Sequence, residues 1–472
     1  MSMILDGDNQ ITSPLKVGFG GGNVTSNAAV GLQALDANTT GAQNIAVGYQ
    51  SLYSNTIGIQ NTSIGYQALY SNTTGTYNTA VGRVALNLNT TGVSNVAIGN
   101  ACLEANTASN NTGVGQSALA KNTTGSENVA VGVEALYNNT TAPYNVGVGY
   151  RALYTNTTGT RNTAVGYAPL RLNSVGTDNT AVGYAALDGN TASKNTAVGS
   201  YALQANTSGT PNDAFGYQAL YSNTTGIRNV AVGYQSLNTN STGSYNTALG
   251  YQALNVSTGN SNTGIGYAAL LAVTTGVNNT AVGESAGSNI TTGSFNTLIG
   301  LNTATSAVGG QYQIVIGQSG VGNGDNVVTI GKGGTNYIYN SYVTNATWTK
   351  ASDERIKTNI QDLPIGLDFI NELKVKSYNW RPSYDIPKEI NGYSEENTQD
   401  TEVTTYGMIA QDVKAAMDKL GYEHFGGWNA RESDGLQGLS NEMFVLPLIN
   451  AVKELSAQNK ALEDRILALE SK

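Results

Sequence analysis

Apolar residues in the first three quarters of this chain recur in a fixed frame, not in helical stripes. Aligned on the glycine of Asn-Thr-Ala-Val-Gly, the frame returns from Gly31 to Gly300 at intervals of 17 or 16 residues, with looser copies at Gly317 and Gly331. The unit reads roughly N-T-A-V-G-Y-x-A-L-x-x-N-T-T-G-x-x. Its first five residues predict a short strand carrying Ala with Val or Ile. The Ala-Leu that follows supplies a second inward pair, on a second strand or on one helical turn. Asn-Thr-Thr-Gly is turn chemistry, since Asn and Gly tolerate positive φ and close a coil. A unit this short cannot bury its own apolar face, so the period predicts stacked coils, a parallel β-solenoid or β-roll. Stacking sets like over like, so Asn27, Asn44, Asn61 and their successors are expected to form an amide ladder. At about 4.8 Å per strand the rod is about 80 Å long. The inward residues are mostly Ala, Val and Leu, a thin core that predicts several chains sharing it.

Past residue 350 the pattern changes to short mixed elements. Ile356–Ile360 reads as a strand, Ile365–Leu373 as a helix and Val375–Trp380 as a strand. A polar loop with an acidic tract spans 382–401, and Tyr406–Val413 leads into a helix holding Ala416 and Met417. The last segment is the clearest. Leu448, Val452, Leu455, Asn459, Leu462, Ile466 and Leu469 alternate spacings of four and three. That is a heptad seam, with Asn459 at an a position to fix register. Flanking charges favour a self-associating coiled coil over an amphipathic helix packed on its own domain. β-branched a positions with Leu at d lean toward two strands. The fold class is therefore mainly β: a repetitive shaft, then a small α+β domain ending in a coiled-coil helix. The expected segments are 1–26 as an N-terminal attachment or lead-in, 27–331 as shaft, 332–350 as connector and 351–472 as the terminal domain, its coiled coil at 448–469.

Composition sharpens this division. Charged residues are 12% of the chain, against about 25% in ordinary soluble domains. Of the 55 charges, 34 fall after residue 350 (13 of 23 basic, 21 of 32 acidic). The net charge of −9 without a basic block argues against nucleic-acid binding. No apolar run is long enough to span a membrane, and Met1–Asp8 lacks the basic and apolar regions of a signal peptide. Cys102 stands alone, so no intramolecular disulfide is expected. His424 is the single histidine, which excludes a histidine-rich zinc site. Asp6-Gly7-Asp8 and Gly324-Asp325-Asn326 are too short for a calcium site, and Gly18–Gly22 has no strand–helix frame for a dinucleotide. No metal or cofactor is expected. The Asn-Thr-Thr triplets read as turns and not as glycosylation sites. Tyrosine follows the marker glycine at Tyr49, Tyr66, Tyr150, Tyr167, Tyr184, Tyr217, Tyr234, Tyr251 and Tyr267. This column is either an inter-coil packing ladder or a stripe that stacks on sugar rings.

The repeats resemble the head repeats of trimeric autotransporter adhesins, which pack three parallel β-rolls side by side, though the unit here is longer. They resemble phage tail-fibre shafts more closely in wording. Both resemblances imply a trimer. After the shaft come Ser352-Asp353-Glu354-Arg355-Ile356-Lys357, Tyr378-Asn379-Trp380, Tyr406-Gly407-Met408-Ile409-Ala410-Gln411-Asp412-Val413 and a terminal heptad helix. This order resembles the intramolecular chaperone domain of endosialidases and other phage tail spikes and fibres. The resemblance implies a single-turnover serine endopeptidase that cuts its own chain. Ser352 would be the nucleophile, Lys357 the general base and Ala351–Ser352 the scissile bond. A serine hydroxyl needs such a base, and a lysine at its ordinary pKa of about 10.4 is protonated and useless as one. Burial against Ile356 and Ile360 on trimer assembly is expected to lower it. Residues five apart on a plain strand face opposite sides, so a bend must bring the pair together.

The expected protein is a homotrimeric tail fibre on a virion, made in the host cytoplasm and not secreted through a signal peptide. Its partners are itself, the virion tail or an upstream fibre protein through the N-terminus, and a host cell-surface glycan or protein. A bacterial surface adhesin is the alternative, but it calls for a signal peptide and a membrane anchor. A polysaccharide-degrading spike is another, but it calls for paired carboxylates in a groove. Acidic residues in the shaft are scattered without a repeated pair.

Overall fold

Each repeat closes into one coil. The computed structural model describes residues 17–333, 336–343, 349–350, 354, 357–388, 393–397, 399, 401–431 and 435–471. Eighteen short strands follow one another from β2 (Ala28–Val30) to β19 (Ile314–Ile316). Consecutive strands pair in parallel with like over like, as in Thr163 on Thr180, Ala164 on Ala181 and Val165 on Val182. Antiparallel strands finish both ends of this 22-stranded sheet. β1 (Val17–Gly18) pairs with β2 at one end. At the other, β20 (Val327–Gly331) is followed by β21 (Tyr337–Ser341) and β22 (Thr349–Lys350). Such strands cover edges that would otherwise template aggregation.

The middle residue of each strand points inward, and Ala46, Ala80 and Ala97 are fully buried. The Ala-Leu side is neither a second strand nor a helical turn. Residues there alternate through the left-handed region, with Gln50 at φ 54° and Leu52 at φ 53°. Their backbone still bonds from coil to coil: Leu52 N–H donates to Ala68 O at 3.0 Å and Gln67 N–H to Tyr49 O at 2.9 Å. A left-handed leucine costs about 1–2 kcal/mol, which full burial of its side chain, worth about 2 kcal/mol, offsets. The marker glycine cannot be replaced so easily. Gly166 sits at φ 134°, and a Cβ there would lie 2.5 Å from the Gly183 carbonyl oxygen of the next coil.

Two asparagine columns complete the core. In the first, Asn61 Nδ2 donates to Asn44 Oδ1 at 3.2 Å and to Gly75 O at 2.9 Å. In the second, Asn72 Nδ2 donates to Asn55 Oδ1 at 2.9 Å and to Gly75 O at 3.0 Å. These fully buried amides fill the space that Ala and Leu leave. The core therefore closes within one chain, which corrects the expectation that several chains share it; Val and Ile of the strands point outward. Three coils are one residue short, ending at Gly115, Gly199 and Gly266. The second ladder breaks at each of them, leaving Asn89, Asn173 and Asn240 with a buried Oδ1 that lacks a partner. Side-chain swaps compensate elsewhere. Cys102 replaces an inward alanine opposite Gly113, where a Cβ would meet its sulfur at 2.5 Å.

Residues 353–472 form a separate compact unit. Its core gathers Ile365, Phe369, Val413, Ala416, Met417, Phe425 and Phe444. Helix α1 (Leu367–Glu372) and helix α2 (Ala410–Leu420) contribute to it, beside a hairpin of β23 (Val375–Tyr378) and β24 (Thr405–Met408). A second hairpin joins β25 (Trp428–Ala430) to β26 (Gln437–Leu439), and helix α3 (Val445–Glu470) ends the unit. The strand expected at Ile356–Ile360 is not formed over its described part. Residues 357–360 are irregular, with Asn359 turned to φ 56°. The other elements fall where the pattern predicts, within a few residues.

Candidate functional site

Three features carry the expected chemistry: the junction, the terminal seam and the tyrosine column. At the junction, Ala351, Ser352 and Ile356 lie outside the described residues. Lys357 is exposed, and its backbone N–H donates to the Glu354 carbonyl at 3.0 Å. Ile360, expected to help bury the lysine, is 66% exposed. In a single chain that side of the lysine's surroundings is open to water. Downstream, Lys376 on β23 pairs with Asp412 on α2 at 2.5 Å, tying the hairpin to the helix.

The terminal seam is laid open. Leu448, Val452, Leu455, Leu462, Ile466 and Leu469 are between 44% and 64% exposed, and Asn459 lies among them in the same exposed helix. The reason is that α3 docks on its own unit through a different face. Pro447 and Ala451 are its buried residues. Asn450 Nδ2 donates to Leu363 O at 2.9 Å and Ile365 O at 3.2 Å, while Glu454 accepts from Leu367 N–H at 2.9 Å. Pro447, Asn450, Ala451 and Glu454 occupy heptad positions away from a and d, so docking leaves the seam unused. The seam residues alone do not reveal this anchor; its sequence signal is a Pro-x-x-Asn-Ala-x-x-Glu row one face over.

The nine tyrosines form interrupted stacks. Ring centroids are 5.0 Å apart for Tyr150–Tyr167 and Tyr167–Tyr184, and 5.4, 5.0 and 5.3 Å along Tyr217, Tyr234, Tyr251 and Tyr267. Tyr49 and Tyr66 stack at 5.5 Å. The run turns edge-on at Tyr201, one residue out of frame after a short coil. Stacked rings cover each other's faces, as a packing ladder requires, and turn edges and hydroxyls to solvent. A second column repeats the arrangement at Tyr53–Tyr70 and Tyr137–Tyr154.

Cys102 is chemically quiet. Burial pushes its thiol from 9.0 up to about 12, against a smaller opposing effect of a backbone hydrogen bond at Ile98. Among the described residues no cluster of His, Cys, Asp and Glu could hold a metal ion, and no helix is long and apolar enough to cross a membrane.

Residues 352–422 match the family model described as the chaperone of endosialidase. No curated protein and no solved structure matches the chain. The matched segment begins at Ser352, takes in α1, β23, β24 and α2, and leaves out α3. Self-cleaving, autoprocessing peptidase activity goes with that family. A β-solenoid followed by such a domain is the build of a tail-fibre- or tail-spike-like protein with a C-terminal chaperone.

Proposed function

We propose that this chain is a homotrimeric tail fibre that binds a host surface and whose C-terminal unit aligns three copies, then cuts itself off between Ala351 and Ser352. The observation that carries the reading is the family match, which starts at Ser352 directly behind a repetitive solenoid. The exposed a/d seam of α3 supports the alignment role, because a helix already docked through another face has its heptad positions to offer to identical helices. The same strand pairing repeats along the chain, so long parallel shafts have many near-equivalent alignments. A C-terminal clamp removes that ambiguity before the shafts zip together.

Nucleophile and scissile bond share one residue, which fixes the chemistry. Ser352 Oγ attacks the Ala351 carbonyl carbon while Lys357, as the neutral amine, takes the hydroxyl proton. The C–N bond breaks, and Lys357 returns the proton to the departing Ser352 amine. Water then hydrolyses the resulting ester, leaving a carboxylate on Ala351 and regenerating the Ser352 hydroxyl. Assembly supplies the trigger: packing chains around Lys357 and Ile360 removes water from the lysine and favours its neutral form. Once the clamp has gone, unfolded shafts lack a template and the assembled fibre is held kinetically. The N-terminus attaches to the virion tail or an upstream fibre protein, and the shaft surface meets a host glycan or protein.

Denaturing mass spectrometry of the purified chain beside Ser352→Ala and Lys357→Ala tests this. The expected wild-type product ends at Ala351, with both variants intact. An intact 472-residue wild type would remove the cleavage step.

A further inference from the structure

One outward position of the solenoid never turns polar. In every strand from β2 to β19 the last residue is Val, Ile, Leu or Phe. It points away from the core, since its neighbour, usually alanine, points in. None of the eighteen is buried, and Ile64, Ile98, Phe215, Leu249 and Ile299 are between 40% and 46% exposed. Strand propensity does not account for this. Threonine serves a strand as well as valine does. It fills the outward position two residues earlier in ten of the same strands, yet the last position in none. The position just after the marker glycine accepts Arg83, Asn100, Ser200 and Glu284. A site facing water would drift in the same way. A site hidden from water would not, because a buried hydroxyl needs a partner.

The dimensions agree. Eighteen strands at about 4.8 Å make a strip about 80 Å long, and two outward residues per strand make it about 10 Å wide. The resulting area of about 800 Å² is what each partner contributes to a stable interface, and its make-up, an apolar column beside a mixed one rich in threonine, is that of an interface with an apolar centre and a polar rim. Asp213 is the single charged residue in its two columns.

We infer that this strip is the face along which the shafts of identical copies pack side by side. The occupant is a second copy of this chain, because only a parallel coil with the same rise per repeat can follow an apolar column of this length without falling out of step. The open seam of α3 independently calls for identical neighbours. The inference rests on the trimer reading and adds to it which surface of the shaft is internal.

The test uses the full chain with single cysteines at Val165→Cys, Ile299→Cys and, as a control on an exposed corner, Thr158→Cys; Cys102 is buried and stays silent. Native mass spectrometry gives the oligomeric state, and a short bis-maleimide followed by denaturing electrophoresis gives proximity. The expected result is an oligomer in which Val165→Cys and Ile299→Cys join chains at least tenfold more than Thr158→Cys. An intact oligomer in which the strip cysteines join chains no better than the control would overturn the assigned face and leave the trimer reading standing. A single-chain native mass would overturn both.

Discussion

The marker glycine shows how closely one residue is held in this shaft. At Gly166 two demands coincide, a φ of 134° and a carbonyl oxygen 2.5 Å from where a Cβ would sit. Gly166→Ala is expected to cost at least about 2 kcal/mol, read as a lower urea midpoint by circular dichroism. Cys102 gives the opposite kind of signal, a group whose chemistry is suppressed. Its folded pKa of about 12 lies above the ordinary 9.0, so its contribution to stability is full below pH 9 and fades as pH rises from there toward 12. Maleimide at pH 8 should leave it unmodified in the native shaft and label it fully in denaturant; labelling of native protein at the unfolded rate would contradict the fold. The asparagine ladder was legible in the sequence because it follows from stacking alone. The left-handed leucines were not. Leucine carries no local preference for positive φ, and only the coil-to-coil hydrogen bonds of the folded shaft impose it.

At the scale of elements, α3 separates what a heptad can say from what it cannot. Spacing predicted the helix and its seam. It did not say which face meets the rest of the unit, a question settled by Pro447, Asn450, Ala451 and Glu454. Because docking and seam use different faces, they should fail separately. Leu455→Glu with Leu462→Glu is expected to abolish self-association by sedimentation while leaving the unit's near-ultraviolet signal from Trp428 unchanged. Loss of that signal would mean that the seam packs inside its own unit after all. The missing strand at residues 357–360 has a local cause: Asn359 takes a left-handed turn that an extended pattern of Ile and Lys does not announce.

At the scale of the molecule, period and charge partition were both readable. The repeat gave the solenoid outright, and 34 of 55 charges beyond residue 350 marked the change of character. The thin-core argument failed for a physical reason. Buried amide ladders complete the coils, so a single chain closes its own interior, and the apolar surface it leaves exposed lies in the outer strip and the α3 seam. The proposed dyad is not readable from spacing, since a Ser and a Lys five apart on a strand have no shared face; only the resemblance carried by the ordered landmarks downstream points to it. The central claim is that the terminal unit templates shaft assembly and is then dispensed with. Its most direct test is refolding. Uncleaved Ser352→Ala chain and cleaved wild-type shaft are both unfolded in denaturant, diluted under identical conditions and followed by native mass spectrometry. The account predicts that the uncleaved chain regains the trimer and the cleaved shaft does not; equal recovery of the two would contradict it.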